Sequence, residues 1–296
     1  MWILFIGILA VSTASLFIRN AQQSLPSTII AAGRLSIAAM VLLPFVGRSA
    51  LREMKGLSRR DVFAVILSGI FLGIHFIVWI KSLELTTIAT SVILVTTTPV
   101  WVAIASPVLL KEKVTRQVVI GLATAMLGIC LLFFMPSIDT LQAGFSTSNA
   151  IGNALALLGA WMAAAYTVVG RKVRNKLTLG AYIFPVYSLA ACVALLFAVP
   201  EMISTAPNIS EGFIWIVLLA LIPQLAGHTM FNAAVRRIPA VYASIALLGE
   251  PIGTIILAWL FLQEAPGVYE LIGGFCVLAG IAIAFWKRTG EDQPLS

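Results

Sequence analysis

The sequence predicts an all-α integral membrane protein in which ten transmembrane helices form two inverted five-helix repeats. Three observations lead to this fold class: the composition, a series of long apolar segments, and a similarity between the two halves of the chain. Of the 296 residues, 60% are hydrophobic and 10% are charged, and the mean hydropathy is +1.02. Because an ordinary soluble domain has roughly 25% charged residues, this composition indicates a chain that folds in lipid.

Ten apolar segments follow one another along the chain, each about 17 to 24 residues long and therefore able to cross the hydrocarbon core as a helix. Segments 1 to 10 lie at 2–18, 28–47, 62–82, 86–109, 115–135, 149–169, 179–199, 212–234, 239–262 and 268–286. Segment 1 has no basic region before it and no clear cleavage site after it. We therefore expect a membrane helix here rather than a signal peptide.

The lysines and arginines alternate between the two sides of the predicted bundle. Two of them, Arg19 and Lys81, fall on one side, and Arg34 lies inside segment 2. The other side holds the connections after segments 2, 4, 6 and 8 and the C-terminal tail. Its basic residues are Arg48, Arg52, Lys55, Arg59, Arg60, Lys111, Lys113, Arg116, Arg171, Lys172, Arg174, Lys176, Arg236, Arg237, Lys287 and Arg288. The positive-inside rule then predicts a multi-pass protein of the cell (inner) membrane with both termini in the cytoplasm.

The second half of the chain repeats the first at an offset of 152 residues. The stretch TTTPVWVAIASPVLLKEKVTRQVVIGLATAMLGI, from Thr96, aligns with LGEPIGTIILAWLFLQEAPGVYELIGGFCVLAGI, from Leu248. With one residue of slip, HFIVWIKSL from His75 aligns with HTMFNAAVR from His228. Identical pairs in the longer alignment include Pro99 and Pro251, Leu110 and Leu262, Glu112 and Glu264, Gly121 and Gly273, and Gly128 and Gly280.

Each predicted repeat contains five helices, so the second repeat has to enter the membrane with the opposite polarity. We assign residues 1–138 to the first repeat, 139–290 to the second and 291–296 to a cytoplasmic tail. Inverted repeats are the usual plan of alternating-access transporters, which bind substrate near the membrane midplane between the repeats. Pro99 and Pro251 are the expected hinges, since proline interrupts helical hydrogen bonding.

The repeat sequences resemble the EamA-type branch of the drug/metabolite transporter superfamily. The resemblance is carried by LVTTTPVWVAIASPVLLKE, PQLAGHTMFNAAVRR and ALLGEPIGTIILAWLFLQE. It implies the export of small metabolites, such as amino acids or related amphipathic compounds. It also implies a cavity lined by segments 3, 4, 8 and 9 with contributions from 1, 2, 6 and 7, while segments 5 and 10 are peripheral.

Glu250 is an acid inside an apolar segment, directly before Pro251. An ionised carboxylate at a helix centre costs about 2.5 to 3.5 kcal/mol on insertion scales, so we expect it to face the bundle interior or a wet cavity. It either binds a proton or a substrate amine, or it is structural and bonds to backbone groups that the proline leaves unpaired. Its repeat counterpart is Thr98, so only one of the two proline sites carries a charge.

Segment 8 places Gln224, His228 and Asn232 at i, i+4 and i+8, which aligns three polar side chains on one stripe of a regular helix. In the repeat partner, His75 and Trp79 have the same i, i+4 spacing. We therefore expect these five residues to line one cavity. The two histidines either relay protons, or remain neutral and hydrogen-bond across helices.

Four aromatic residues lie within segments rather than at their ends, where interfacial aromatics usually lie. Trp79, Trp101, Trp161 and Tyr166 either form the wall of a ligand pocket or pack in the protein core.

Three further charged residues are candidates with different roles. Arg34, inside segment 2, either pairs structurally, for instance with Glu250, or receives an anionic substrate group. Glu112 and Glu264 lie at segment ends and are expected to be interfacial and structural.

Other function classes lack support in the sequence. The motifs HExxH, GxGD and GxSG are absent, so we predict that the protein is not an enzyme. The cysteines Cys130, Cys192 and Cys276 show no metal or disulfide spacing, and we expect neither metal nor cofactor. The basic clusters lack interleaved aromatics and do not indicate a nucleic-acid partner.

The expected partners are a small-molecule substrate and the lipid bilayer, with the chain as monomer or homodimer. A passive channel or facilitator for small solutes remains the alternative to alternating access, because a polar-lined cavity suits either mechanism.

Overall fold

The computed structural model describes residues 2–86, 88–134, 147–257, 259–260 and 267–286. Within these ranges the chain is helical and contains no strand. Glu264, Lys287 and Arg288 lie outside the described residues, so the predictions made for them stay predictions.

The helices follow the ten apolar segments, and four segments are interrupted. Segments 2, 3, 5, 6, 7 and 10 are single helices: Ser27–Lys55, Arg59–Leu85, Arg116–Phe134, Thr147–Arg174, Leu179–Thr205 and Val268–Phe285. Segment 1 consists of Trp2–Ser12 and Ala14–Ala21, and segment 4 of Ile88–Val95 and Thr98–Leu109. Segment 8 consists of Ile209–Leu219, a π-helical stretch Ala220–His228 and Thr229–Arg237. Segment 9 consists of Ala240–Ala246, a 3-10 turn Leu247–Gly249 and Glu250–Leu257.

Nine of the segments have the length and apolarity of membrane-spanning helices in the described part of the chain. In segment 5 the apolar part of the helix, Arg116–Leu132, is shorter than that of the other nine segments. At about 1.5 Å per residue, such a helix is somewhat shorter than the roughly 30 Å hydrocarbon core. The structure therefore shows a multi-pass, all-α membrane protein, and the count of ten spans stays a prediction.

Side-chain contacts place the segment connections at two opposite ends of the bundle. At the first end, Lys176 after segment 6 binds Asp61 at the start of segment 3, with Nζ–Oδ distances of 2.8 Å. At the other end, the Ser27 amide donates to Glu84 over 3.0 Å, which joins the start of segment 2 to the end of segment 3. We call the first end, where segments 2, 4, 6 and 8 finish, the basic end.

Segments 5 and 10 pack closely as an antiparallel pair through small residues. A methyl group built on Gly128 would lie 2.6 Å from the Gly273 carbonyl oxygen, and Gly121 similarly faces Gly280 across the pair. At the offset of 152 residues, Gly121 corresponds to Gly273 and Gly128 to Gly280. Gly128 therefore contacts the counterpart of Gly121, and Gly121 contacts the counterpart of Gly128. A two-fold axis between the halves produces this exchange.

Segments 2 and 7 show the same kind of exchange through polar contacts at their ends. Near the end of segment 2, Glu53 accepts hydrogen bonds from the amide and hydroxyl of Thr178 at the start of segment 7, both 2.7 Å long. Near the end of segment 7, Glu201 accepts a hydrogen bond from the Thr28 hydroxyl at the start of segment 2. The end of each helix thus binds the start of the other.

The interruptions of segments 4 and 9 also correspond at the offset of 152 residues. In segment 4 the first helix ends at Val95 and the second begins at Thr98. In segment 9 the 3-10 turn begins at Leu247 and the second helix at Glu250. A proline follows directly in both cases and cannot donate a helical hydrogen bond, which explains why both segments change their bonding here.

Candidate functional site

A central cavity lies between segments 1, 3, 4, 6, 8 and 9. It leaves about 160 Å³ for the centres of water-sized molecules. Because one water needs about 10 to 15 Å³ by this measure, the cavity holds several waters or a small organic molecule. Among the described residues, segments 2 and 7 do not contribute to the lining, although a contribution from both was expected; they stand behind it.

The cavity wall is mostly apolar and carries a limited set of polar side chains. The polar and amphipathic lining residues are Ser15, His75, Trp79, Thr96, Thr98, Tyr166, Thr167, His228, Ser244, Glu250 and Thr254. Pro99 and Pro251 also line it, so both helix interruptions border the cavity. Apolar walls with a few directed polar groups are typical of small-molecule sites.

Glu250 lines this cavity, and its carboxylate has no partner among the described residues. Its backbone carbonyl accepts from the hydroxyls of Ser12, over 2.8 Å, and Thr254, over 3.2 Å. The carboxylate itself makes no hydrogen bond or salt bridge with any described residue. A half-buried acid without donors needs water, a proton or a ligand.

The backbone beside Pro251 is satisfied without help from the carboxylate. The amide of Glu250 donates to the carbonyl of Leu247, which closes the 3-10 turn directly before the proline. The hydroxyls on the Glu250 carbonyl support the same site from segments 1 and 9. The described structure therefore contains no hydrogen bond between the Glu250 carboxylate and a backbone group that Pro251 leaves unpaired.

His75 and His228 line the same cavity, with the Phe76 ring in contact with both. The ring centroid of Phe76 lies 4.9 Å from that of His75 and 5.2 Å from that of His228. His75 Nδ1 lies 2.9 Å from the carbonyl oxygen of Gly159. A carbonyl can only accept, so Nδ1 carries the proton and Nε2 remains an acceptor. Trp79 stacks on His75 with ring centroids 5.8 Å apart.

The stripe expected on segment 8 is not continuous, because Gln224 and Asn232 do not line the cavity. Both are fully buried. Gln224 lies in the π-helical stretch, which winds more loosely than an α-helix, so residues four apart no longer share one face. Asn232 accepts from the Tyr166 hydroxyl over 2.6 Å and donates to the His228 carbonyl over 2.7 Å. It therefore supports two cavity residues from behind.

Arg34 is fully buried behind the cavity and does not pair directly with Glu250. Its Nη2 donates to Gln224 Oε1 over 2.9 Å, and its guanidinium lies 4.1 Å from the centre of the Phe76 ring. Nε and Nη1 have no hydrogen-bond partner in the described structure, and neither has Gln224 Nε2. No salt bridge joins Arg34 to Glu250 in the described structure. The suggested pair with Glu250 is therefore not among the described contacts, whereas a structural contact with Gln224 is present.

Trp101 and Trp161 pack on each other rather than on the cavity. Their rings form an edge-to-face pair with centroids 5.3 Å apart, and Trp101 Nε1 donates to the Thr97 hydroxyl over 3.1 Å. Trp161 is 43% exposed, on the outside of the bundle. Of the four internal aromatic candidates, only Trp79 and Tyr166 reach the lining.

Sequence reasoning missed a buried arginine at the end of segment 6. Arg174 was assigned to the connection after segment 6 but lies within its helix and is 1% exposed. Its guanidinium lies 5.0 Å from the Tyr166 ring centre and 4.8 Å from that of Tyr182. Its Nη1 donates to the Thr167 carbonyl over 3.0 Å. The sequence did contain a signal, because Arg174 follows Tyr166 and Thr167 at a spacing that places the three residues on one face of a helix.

Comparisons with known proteins agree with this architecture. The EamA-like transporter family matches residues 1–134 and 150–286, which is nearly all of the chain. The chain belongs to the EamA-like transporter family. The expected resemblance is thereby confirmed, and with it a transport role in a membrane.

Individual relatives of this EamA-like transporter are distant but cover most of its length. An uncharacterized transporter of Synechocystis, sll1164, is 23% identical over 276 residues, which cover 89% of this chain and 77% of the relative. The uncharacterized transporter YdfC of Bacillus subtilis is 26% identical over 258 residues, with 86% and 80% coverage. A solved crystal structure with 18% identity matches 98% of both chains with a TM-score of 0.78, which shows the shared fold.

Proposed function

We propose that the protein is a secondary transporter that exports small amphipathic metabolites, such as amino acids or related compounds, by alternating access. The observation that carries this proposal is Glu250, which lines a central cavity beside a helix interruption and whose carboxylate has no partner in the part of the chain that the structure describes. A protonated amine or a proton supplies the donor that this acid lacks, while the apolar walls accommodate the rest of the substrate.

Two inverted repeats are the second part of the proposal. They are supported by the glycine exchange between segments 5 and 10, by the Glu and Thr exchange between segments 2 and 7, and by the matching interruptions of segments 4 and 9. In such a fold, rocking of one repeat against the other exposes the cavity to each side in turn. The basic end is the cytoplasmic end in this proposal, with ten spans and both termini inside.

Arg34 favours the zwitterionic members of the proposed substrate class. Its unpartnered Nε and Nη1 lie behind Phe76, and a buried guanidinium without a counter-ion is unfavourable in a membrane. A substrate with a carboxylate as well as an amine would complement both Arg34 and Glu250. Arg34 is not on the cavity lining in this structure. The proposal therefore requires Phe76 and His228 to move when such a substrate binds.

The test is transport by Glu250→Gln in proteoliposomes with defined pH on each side. The amide keeps the size of the side chain but cannot titrate or pair with an amine. We expect near-normal folded yield, with loss of net, pH-dependent transport of amino acids and amines identified by profiling the medium of overproducing cells. The matched control is Glu211→Gln, which changes an exposed acid that bonds only to Asn208.

Two results would count against this proposal. If Glu250→Gln transports as the wild type does across a range of pH, the carboxylate has no coupling or substrate role. If the wild type shows neither counterflow nor concentrative uptake yet passes solute down a gradient, the protein is the passive channel of the alternative reading.

A further inference from the structure

At the basic end of the bundle, a group of charged and backbone contacts joins segment 4 to three parts of the second half. Arg171 Nε, at the end of segment 6, donates to Glu112 Oε1 over 2.9 Å. The other carboxylate oxygen of Glu112 accepts from the Ala240 amide, the first residue of segment 9, over 2.9 Å. Arg171 Nη1 donates to the carbonyls of Val235 and Arg236, at the end of segment 8, over 2.7 and 3.0 Å.

The direction of the chain around Glu112 is set by its neighbour. Lys111 has a φ of 59°, in the left-handed region, and so ends the helix Thr98–Leu109 and reverses the chain. The side chains of Glu112 and Arg171 are 15% and 16% exposed, so water screens their interaction only in part. These contacts are therefore better defined than those of a typical surface ion pair.

The contacts lie directly beyond the cavity on three helices. Thr167 precedes Arg171 by four residues, Phe231 precedes Val235 by four, and Ser244 follows Ala240 by four; the first residue of each pair lines the cavity. Four residues of helix span about 6 Å, so the group sits roughly one turn from the lining on each helix.

We propose that Glu112, Arg171 and the connection between segments 8 and 9 form a gate that closes the basic end of the cavity. This gate rests on the proposed alternating access, because it joins segment 4 of the first half to segments 6, 8 and 9 of the second. Opening at this end separates these elements and breaks the contacts. Arg19, the repeat counterpart of Arg171, makes no hydrogen bond or ion pair with any described residue, so it forms no matching contact at the opposite end.

The experiment measures access to the cavity and does not need a substrate. Cys130, Cys192 and Cys276 are replaced by alanine, and Ser244→Cys introduces a reporter on the cavity wall. A membrane-impermeant maleimide is applied to inside-out and right-side-out vesicles. In the Glu112→Gln background we expect roughly tenfold faster labelling from the basic side, equivalent to about 1.4 kcal/mol, because the charge and one acceptor are lost.

Two further variants separate gating from general loosening. Arg171→Gln should give a similar increase, and the double variant should add little, since both changes break the same contacts. The matched control is Asp61→Asn, which removes a second described ion pair between the halves at this end; its partner Lys176 has a side chain that is 53% exposed. Thermal stability of every variant is measured alongside labelling.

The outcomes are distinguishable. Unchanged labelling in Glu112→Gln and Arg171→Gln, an increase from the opposite side, or an equal increase in Asp61→Asn would each overturn the gate. Faster labelling from the basic side in a protein that fails every transport assay would retain the gate while rejecting the proposed function. Normal transport with unchanged labelling would reject the gate while retaining the proposed function.

Discussion

The close pairing of segments 5 and 10 makes a sharp prediction about two adjacent glycines. A methyl group on Gly273 would lie 2.7 Å from the Gly128 carbonyl oxygen and 2.8 Å from two atoms of Leu132. A methyl group on Gly274 would meet nothing within 4 Å. The two substitutions Gly273→Ala and Gly274→Ala therefore add the same atom at neighbouring positions with opposite consequences.

The magnitudes follow from these distances. Backbone atoms cannot move aside cheaply, so Gly273→Ala has to push the two helices apart, and overpacking of this kind costs about 1 to 3 kcal/mol. At Gly274 the methyl group is free of contacts, and replacing glycine within a helix by alanine gains about 0.5 to 1 kcal/mol. One substitution should lower the thermal midpoint and the other should leave it equal or higher.

The assay is thermal unfolding of the purified protein in one detergent, followed by loss of the monodisperse chromatographic peak. Roughly 2 to 4 °C is expected per kcal/mol for a chain of this size class. Gly128→Ala should resemble Gly273→Ala, because each glycine meets the other's backbone. Equal midpoints for Gly273→Ala and Gly274→Ala would show that segments 5 and 10 do not pack in this register, and the two-fold exchange would lose its main support.

Two other predictions concern topology and the histidines. Cysteines introduced at the exposed positions Ser58 and Asn175 should be protected from an impermeant maleimide in intact cells, whereas one at Ser210 should react; the reverse pattern would contradict the proposed orientation. Ser137, an equivalent outside position, lies beyond the described residues. His75→Leu and His228→Leu should each lower transport more than folded yield, because both rings line the cavity; a proportional loss of both would indicate a purely structural role.

The sequence predicts the helices well because their main determinant is local. Apolar length locates every segment, although the helix of segment 2 ends at Lys55 rather than at 47, and the prolines at 99 and 251 mark the interruptions of segments 4 and 9. The error lies at the ends. Segment 6 was predicted to stop at 169, yet its helix continues to Arg174, because backbone hydrogen bonding persists beyond the last apolar residue. Arg171 and Arg174 were therefore treated as loop residues.

The cavity could be predicted only in part, because side-chain direction depends on details that hydropathy does not encode. The π-helical stretch Ala220–His228 changes which residues of segment 8 share a face, and this removes Gln224 from the lining. Hydrogen-bond partners are also distant in the sequence: the Asn232 side chain accepts from the Tyr166 hydroxyl, 66 positions away. Glu250 and the two histidines were identified because polar groups in an apolar segment are costly wherever they point inward.

The departures from the internal repeat locate the chemistry better than the repeat itself does. The two halves share the helix interruption, the following proline and a place on the cavity wall at Thr98 and Glu250. Thr98 satisfies its own hydroxyl by donating to the Val95 carbonyl over 2.7 Å, whereas the carboxylate of Glu250 has no described partner. A structural requirement of the interruption would apply to both sites, and threonine meets it at one of them. The fold alone therefore does not explain the charge at Glu250, and we propose that it binds a ligand or a proton on the cavity side.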